Sequence, residues 1–524
     1  MKKVMQAASV VLPLPPPGVD SSPGDWTLSS LPLSDWLADS ITAVRLAACI
    51  NAEFGRASGD SSRLLPSALL DPAATLEHVC AHMISTPTDG FRVNWQLESV
   101  LDASLQFIAD ANLRQQSEHS GPHHVLVTGT TGFLGAFVLA ELLNISACTC
   151  TVTCLVRATS REEAHARLYH TLTGYGLLES QSTINSFVDR VTVLVGDVAQ
   201  PNLGISEYER VQLLTGHGDR TCLPIDAIVH CAARVSSVAP YSALQGTNVD
   251  GTTRLLQLAS ERPAGCVFFC HVSTIGVVPF AMTASETPNV PPDHLDSNSG
   301  YNQSKWVAER RVLAAFERGL SGCVIRPANI FGHSSTGACN ATDVVIRLLR
   351  GVCEIGSAPQ LPLGCQHFQD ITAVDDIARA LVGILLRQPC RSDLQGRVVN
   401  MTAAEPTLTE DLFGWVESYR LRRADTALKR LPLTQWVAEL QQSPHNALHP
   451  FSDVIAQAGV PAGGTAGRHR SFAADTISRM GLEFRSITES SVHSALAWLD
   501  GSSISKNSLE EDQCSEADLT DVRA

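Results

Sequence analysis

One stretch constrains the whole chain: residues 124–135, His-Val-Leu-Val-Thr-Gly-Thr-Thr-Gly-Phe-Leu-Gly. Val125, Leu126 and Val127 form a short apolar run of the kind that makes a strand buried on both faces. Gly129, Thr130, Thr131, Gly132, Phe133, Leu134 and Gly135 then turn the chain sharply into an apolar helix over 136–143. Strand, glycine turn and buried helix make up the dinucleotide-binding fingerprint. Gly129 permits the tight turn. Gly132 removes a side chain where backbone approaches a pyrophosphate. Gly135 lets the helix pack close. The helix N-terminus offers N–H groups and partial positive charge to the phosphates.

Downstream segments extend the pattern. A second strand over 150–156 runs directly into Arg157, with Arg161 and Arg167 on the next helix. An arginine at this strand end suits a ribose 2′-phosphate, whereas an acidic residue would bind a free 2′-hydroxyl, so the sequence favours NADP(H) over NAD. A third strand over 191–195 ends at Gly196, with Asp197 and Val198 placed to meet the adenine. The fourth, over 225–233, ends in Ala232 and Ala233, whose small side chains leave room for the cofactor. Asn248, read as a cofactor-binding residue, opens a helix and orients a neighbouring backbone or water. The fifth strand, over 267–272, ends at Ser273 and Thr274, with Ser273 read at the cofactor and as a second hydroxyl beside Thr274. A sixth, from residue 323, carries Pro327 and Ala328 past the nicotinamide.

Tyr301 and Lys305 lie four residues apart in a helix read over 300–316, so they share one helix face. A lysine beside a tyrosine lowers the phenol pKa from its free value of about 10. Such a phenol can protonate a carbonyl oxygen as hydride reaches the carbon. Thr274 reaches the same oxygen, and Lys305 also holds ribose hydroxyls. The three are the candidate catalytic residues.

Composition narrows the partners. The formal net charge of −15 argues against a nucleic-acid surface or an anionic membrane. No apolar run is long enough for a membrane span. The 15 cysteines follow no disulfide or zinc spacing. Cys148, Cys150 and Cys154 alternate along a strand and read as core, and no metal site is expected. Reduced thiols fit a cytoplasmic setting.

As a set, TGTTGFLG, CLVRA, Gly196-Asp197, HCAARVSSVAPYSALQGTNVDGT, HVST, GYNQSKWVAE and IRPANIFG resemble the extended short-chain dehydrogenase/reductase superfamily. Within it, the chain resembles the thioester reductase domains of nonribosomal peptide synthetases, carboxylic acid reductases and aminoadipate reductases. Upstream, Asp39-Ser40-Ile41 opening a helix and LLDPAATLEHV closing a segment resemble a phosphopantetheine carrier domain. Leu37-Ala38 replace that family's usual glycines, and its first helix is short or missing. The resemblance implies that Ser40 carries 4′-phosphopantetheine, installed by a phosphopantetheinyl transferase. Read without it, Ser40 is the N-cap of a small helical bundle. The resemblance further implies an NADPH-dependent reductase that releases an acyl thioester, held on its own or a partner carrier or on CoA, as an aldehyde or alcohol, in secondary-metabolite biosynthesis. No adenylating domain is expected, so Ser40 would be loaded in trans. The alternatives are another extended reductase or epimerase, acting on a sugar nucleotide or small carbonyl, and a non-catalytic NADP-binding scaffold.

The expected architecture is α/β: a doubly wound Rossmann-type parallel sheet with a smaller substrate lobe, after a small helical carrier-like domain. The expected boundaries are 25–88 for the carrier-like domain, 89–120 for a linker with one helix over 95–111, 121–400 for the NADP-binding domain, 401–500 for the rest of the lobe, and 501–524 for a disordered tail. The segments 279–299 and 334–366 are expected to join the lobe.

Overall fold

The computed structural model describes residues 93–107 and 123–501, less short internal segments (146–149, 217–222, 237, 263–266, 280–285, 362–366, 387–393, 404, 453–454 and 457–474), and isolated positions between 33 and 79. Ser40, most of the carrier-like segment and residues 502–524 lie outside the described residues.

Short apolar runs build the centre of the molecule. Strands β1 (His124–Thr128), β2 (Thr151–Val156), β3 (Val191–Val195), β4 (Ala227–His230), β5 (Phe268–Val272), β6 (Ser321–Pro327) and β7 (Arg397–Met401) form one sheet. Their order is β7-β6-β5-β4-β1-β2-β3. Every neighbouring pair is parallel. The order reverses between β1 and β4, which opens a crevice at the carboxyl ends of those strands.

Successive side chains on a strand face opposite ways, and both faces are covered. Val125 and Val127 of β1 pack with helices α1 (Phe133–Asn144), α2 (Arg161–Gly174) and α7 (Val374–Leu386). Leu126, between them, packs on the other face with α4 (Gly251–Ser260) and α5 (Gly300–Glu317). This two-sided burial is why β1 reads as continuously apolar. Cys150 and Cys154 are buried thiols in the same core, neither in a disulfide.

A third core forms the lobe. It gathers α6 (Val344–Ile355), α8 (Thr409–Arg422), α9 (Leu433–Gln441) and α10 (Glu489–Gly501) around the fully buried Trp436. Asp343 caps α6 by accepting from the N–H groups of Val345 and Ile346, and Gly356, at φ 71°, ends it.

Two expectations are corrected. Of the helix read over 95–111, the described residues 95–107 form one helical turn, Trp95–Glu98. Its following carbonyls are held by α5 instead: Arg311 donates to Glu98 O (2.8 Å), and Arg318 donates to Leu101 O (2.9 Å) and Leu105 O (3.2 Å). Tertiary donors thus satisfy the carbonyls that a longer helix would have used. Of the segment assigned to the lobe over 279–299, the described residues 286–299 do not join the lobe core either. Val290 and Leu295 pack with Trp95, Tyr241 and Trp306, and Trp306 Nε1 donates to Val290 O (3.1 Å).

Candidate active site

The glycine turn stands at the switch point. Gly129 has φ 78°, and a Cβ there would sit 2.6 Å from Ala232 N. It therefore answers two demands, a left-handed backbone and a close approach to the exit of β4. A Cβ on Gly135 would sit 2.1 Å from Gly129 O. Gly135 thus packs α1 onto the turn itself rather than onto the strand. Gly132 caps α1 without any side-chain hydrogen bond, which leaves the first turn of the helix uncovered by side chains. This cradle fits a pyrophosphate through backbone alone.

The other fingerprint side chains point inward. Thr130 is fully buried, beside the Cys154 thiol. Leu134 is in the core, and Phe133 joins an aromatic cluster with Phe137 (5.2 Å) and Tyr175 (5.4 Å). Thr131 is half-buried at the turn.

Arg157 and Arg167 are both exposed at the end of β2, and an Arg167 guanidinium nitrogen donates to the Arg157 carbonyl. Arg161 turns away to pair with Glu209 (3.8 Å). Asp197 spends one carboxylate oxygen on the Ala199 N–H (2.9 Å), and Val198 is buried with its carbonyl held by Arg254 (3.0 Å). Ala232 and Ala233 are half-buried, Ala232 beside Gly129. Pro327 and Ala328 are buried, and Ala328 N donates to Met401 O (3.0 Å).

Thr274, Tyr301 and Lys305 gather where β5 ends. Ser299 caps α5, which places Tyr301 in its first turn and Lys305 one turn below. Thr274 Oγ1 accepts from Gly276 N (3.1 Å), so its proton stays available to an oxygen in the crevice. Lys305 is buried and donates to Val272 O (2.6 Å). The expected lowering of the phenol pKa is not found. Burial pushes Tyr301 up to about 12. Lys305 is turned onto the Val272 carbonyl, and its own pKa falls to about 8 through burial, opposed by Glu309. Tyr301 is thus a firmly protonated donor, with a lysine that loses charge in the mildly alkaline range.

Two residues expected at the cofactor serve elsewhere. Ser273 Oγ donates to Glu309 Oε2 (2.6 Å), inside a buried ion pair that Glu309 makes with Arg326. Its hydroxyl is committed to that pair and does not back up Thr274. Asn248 is fully buried. It accepts from Arg234 N (2.7 Å), donates to Arg234 O (3.0 Å), and donates to Ser304 Oγ (2.9 Å). It orients backbone, as its position in the sequence allowed, and does so from behind the crevice.

Sequence reasoning missed His230, His271, Glu309 and Arg326. Each is a polar residue in an apolar setting: His230 in IVHCAA, Arg326 in VIRP, and Glu309 one turn beyond Lys305. Those interruptions were the available signal. His271 is fully buried, its ring 5.4 Å from that of His230.

Known proteins share parts of this sequence and fold. Residues 127–381 match the family model described as male sterility protein. The chain resembles that family over just under half of its length. It is 36% identical over 341 residues to an isonitrile lipopeptide synthase of Streptomyces coeruleorubidus, covering 64% of this chain and 21% of that protein. It thus spans about a fifth of that relative's length. The terminal R domain of the myxalamid PKS-NRPS pathway superposes with a TM-score of 0.64 at 29% identity, over 77% of this chain and 96% of that one. A thiolation-reductase di-domain from an archaeal nonribosomal peptide synthetase shares the fold, with a TM-score of 0.62 at 16% identity, over 97% of this chain and 98% of that one. The sheet domain has the glycine turn and strand order of an NAD(P)-binding domain. No helix among the described residues is long and apolar enough to cross a membrane.

Proposed function

We propose that the chain is an NADPH-dependent reductase that releases an acyl group from a phosphopantetheine thioester as an aldehyde, with the alcohol as product of a second round. The observation that carries this reading is Tyr301, a protonated phenol one helical turn from Lys305, at the crevice end of the sheet. Gly129, Gly132 and Gly135 would hold the pyrophosphate, Arg157 and Arg167 the 2′-phosphate, and Lys305 the nicotinamide ribose. When bound, the dinucleotide supplies hydride to the thioester carbon. Thr274 and Tyr301 donate hydrogen bonds to the carbonyl oxygen, which gathers negative charge as that carbon becomes tetrahedral. Tyr301 moves its proton toward this oxygen. The carbon–sulfur bond then breaks, the sulfur leaves as a thiol with a proton, and the carbonyl re-forms. One acyl thioester, one hydride and one proton give one aldehyde and one thiol.

The donor arm is the second half of the proposal. Ser40 would carry 4′-phosphopantetheine, placed there by a phosphopantetheinyl transferase, or the acyl group would arrive on a partner carrier. The carrier-like sequence around Ser40 and the di-domain's fold likeness support this reading.

Mass spectrometry after incubation with a phosphopantetheinyl transferase and coenzyme A is expected to show one added phosphopantetheine, abolished by Ser40→Ala. Loaded with acyl groups, the protein should oxidise NADPH, and Tyr301→Phe should lose about 10²–10⁴-fold in turnover. Unchanged turnover in Tyr301→Phe would overturn the mechanism. Absence of the added mass would move the donor to a partner carrier or acyl-CoA.

A further inference from the structure

Behind the crevice, one line of side chains crosses from the glycine turn to the Tyr301 helix. Ala232 N donates to Thr128 Oγ1 (3.3 Å). Thr128 Oγ1 lies 2.8 Å from His230 Nδ1. His230 Nε2 lies 2.9 Å from Thr252 Oγ1. Thr252 Oγ1 donates to Asn248 O (2.7 Å). Asn248 Nδ2 donates to Ser304 Oγ (2.9 Å), which donates to Tyr301 O (2.8 Å).

The chemistry of the groups gives this line a direction. Thr252 has one proton, and it goes to Asn248 O, so Thr252 can only accept from His230. His230 therefore carries its proton on Nε2 and accepts at Nδ1. The Thr128 hydroxyl must then donate to that nitrogen, while accepting from Ala232 N. From Ala232 N to Asn248 O every donor points the same way, the arrangement in which successive hydrogen bonds strengthen one another; a second run starts from the Asn248 side-chain amide and passes through Ser304 to Tyr301 O. Thr128, His230, Thr252 and Asn248 are all buried. Burial keeps His230 neutral, with its pKa pulled down to about 3, so the direction does not change with pH near neutrality.

Both ends of the line are at the site. Thr128 precedes Gly129, and Ala232 N is the atom that a Cβ on Gly129 would strike. At the other end, Asn248 sits in the π-helical turn Gly246–Asp250, a distortion common at functional positions. We propose that Thr128, His230 and Thr252 are positioning residues that couple the seating of the dinucleotide turn to the placement of Tyr301. This rests on the reductase reading above. None of the three touches substrate; they act through Asn248 and Ser304.

Thr252→Val deletes the hydroxyl at nearly constant volume, and Thr252→Ser keeps it. In the full chain, Thr252→Val is expected to lose about tenfold in kcat, with KM for NADPH within about twofold of the parent. Its isotope effect with C4-deuterated NADPH should rise, and Thr252→Ser should stay near the parent. Hydrogen exchange gives a readout free of turnover. NADPH should slow exchange in the turn over 300–304 of the parent and the serine variant, and should leave it unchanged in the valine variant. Equal losses in the two variants, or none in Thr252→Val, would overturn the coupling. Should Thr252→Val not fold, Thr128→Val against Thr128→Ser asks the same question from the other end. Failure of both valine variants to fold would overturn the coupling in favour of a purely structural line. A parent without thioester turnover would sink the reductase reading alone, and the exchange comparison would still decide the coupling.

Discussion

Lys305 sets two pH dependences of opposite sign. Its pKa in the folded chain is about 8, against 10.5 when free. Reduction needs the ammonium beside a protonated Tyr301, and Tyr301 keeps its proton to about 12. Turnover should therefore fall as pH rises through about 8, and the small residual turnover of Lys305→Met should lack that limb of the profile. Stability moves the other way. Between about 8 and 10.5 the unfolded chain binds more protons at this site than the folded one, so the contribution of Lys305 to folding grows with pH there. Subtracting the urea midpoints of Lys305→Met from those of the parent isolates that share. A midpoint difference that shrinks over this range would refute the assignment. A second test at this scale concerns Gly135. Gly135→Ala forces a Cβ against Gly129 O and is expected to abolish NADPH binding in a fluorescence titration. Gly383→Ala, where a Cβ meets nothing within 4 Å, should bind as the parent does.

Among the elements, the segment from Val93 to Phe107 behaves as a strap. Trp95 packs edge-on against Tyr241 at 5.2 Å and donates to Asp296 (2.7 Å). Tyr241 OH donates to Glu98 Oε2 (2.8 Å). Trp95→Ala removes the anchor and leaves a cavity, at a cost of about 3–5 kcal/mol. It should make residues 93–107 a site of rapid proteolysis. Cleavage no faster than in the parent would show that Arg311 and Arg318 suffice. This strap marks the limit of what the chain discloses about itself. Strands β1 to β6 were legible because each is a short, mostly apolar run. The glycine turn and the Tyr301–Lys305 spacing were legible because backbone geometry imposes them. The helix over 95–111 was misread because Arg311 and Arg318, some two hundred residues away, claim its carbonyls. The Tyr301 pKa was misread because spacing shows Lys305 nearby but not that Val272 O holds its amine. Ser273 and Asn248 were credited to the cofactor for the same reason: a buried hydroxyl or amide gives no sequence clue to its partner.

At the scale of the whole molecule, the lobe is stitched into the sheet domain rather than appended to it. After building α8 and α9 in the lobe, the chain returns to place Ile477 and Phe484 in the core beneath α1 and α7. It then re-enters the lobe as α10, where Val492, Leu496 and Leu499 are buried. Arg485 fastens the crossing by pairing with Asp375 (2.8 Å) and Asp376 at the start of α7. Asp375 also holds the Ser334 N–H (2.9 Å) and hydroxyl (2.8 Å). Trp498 of α10 stacks on Tyr175 at 6.2 Å, next to Phe133 and Phe137 of the dinucleotide helix. Neither body can lose its packing without exposing apolar surface of the other, so the two should unfold together. Urea titrations followed by NADPH fluorescence, which reports the sheet domain, and by hydrogen exchange in α6, α8 and α9, which reports the lobe, are expected to coincide. Phe484→Ala should shift both curves to lower urea by the same amount, because the cavity weakens a core the two bodies share. Two separated transitions in the parent, or a shift in the NADPH curve alone, would mean that the lobe holds itself together and that the crossing chain is only a tether.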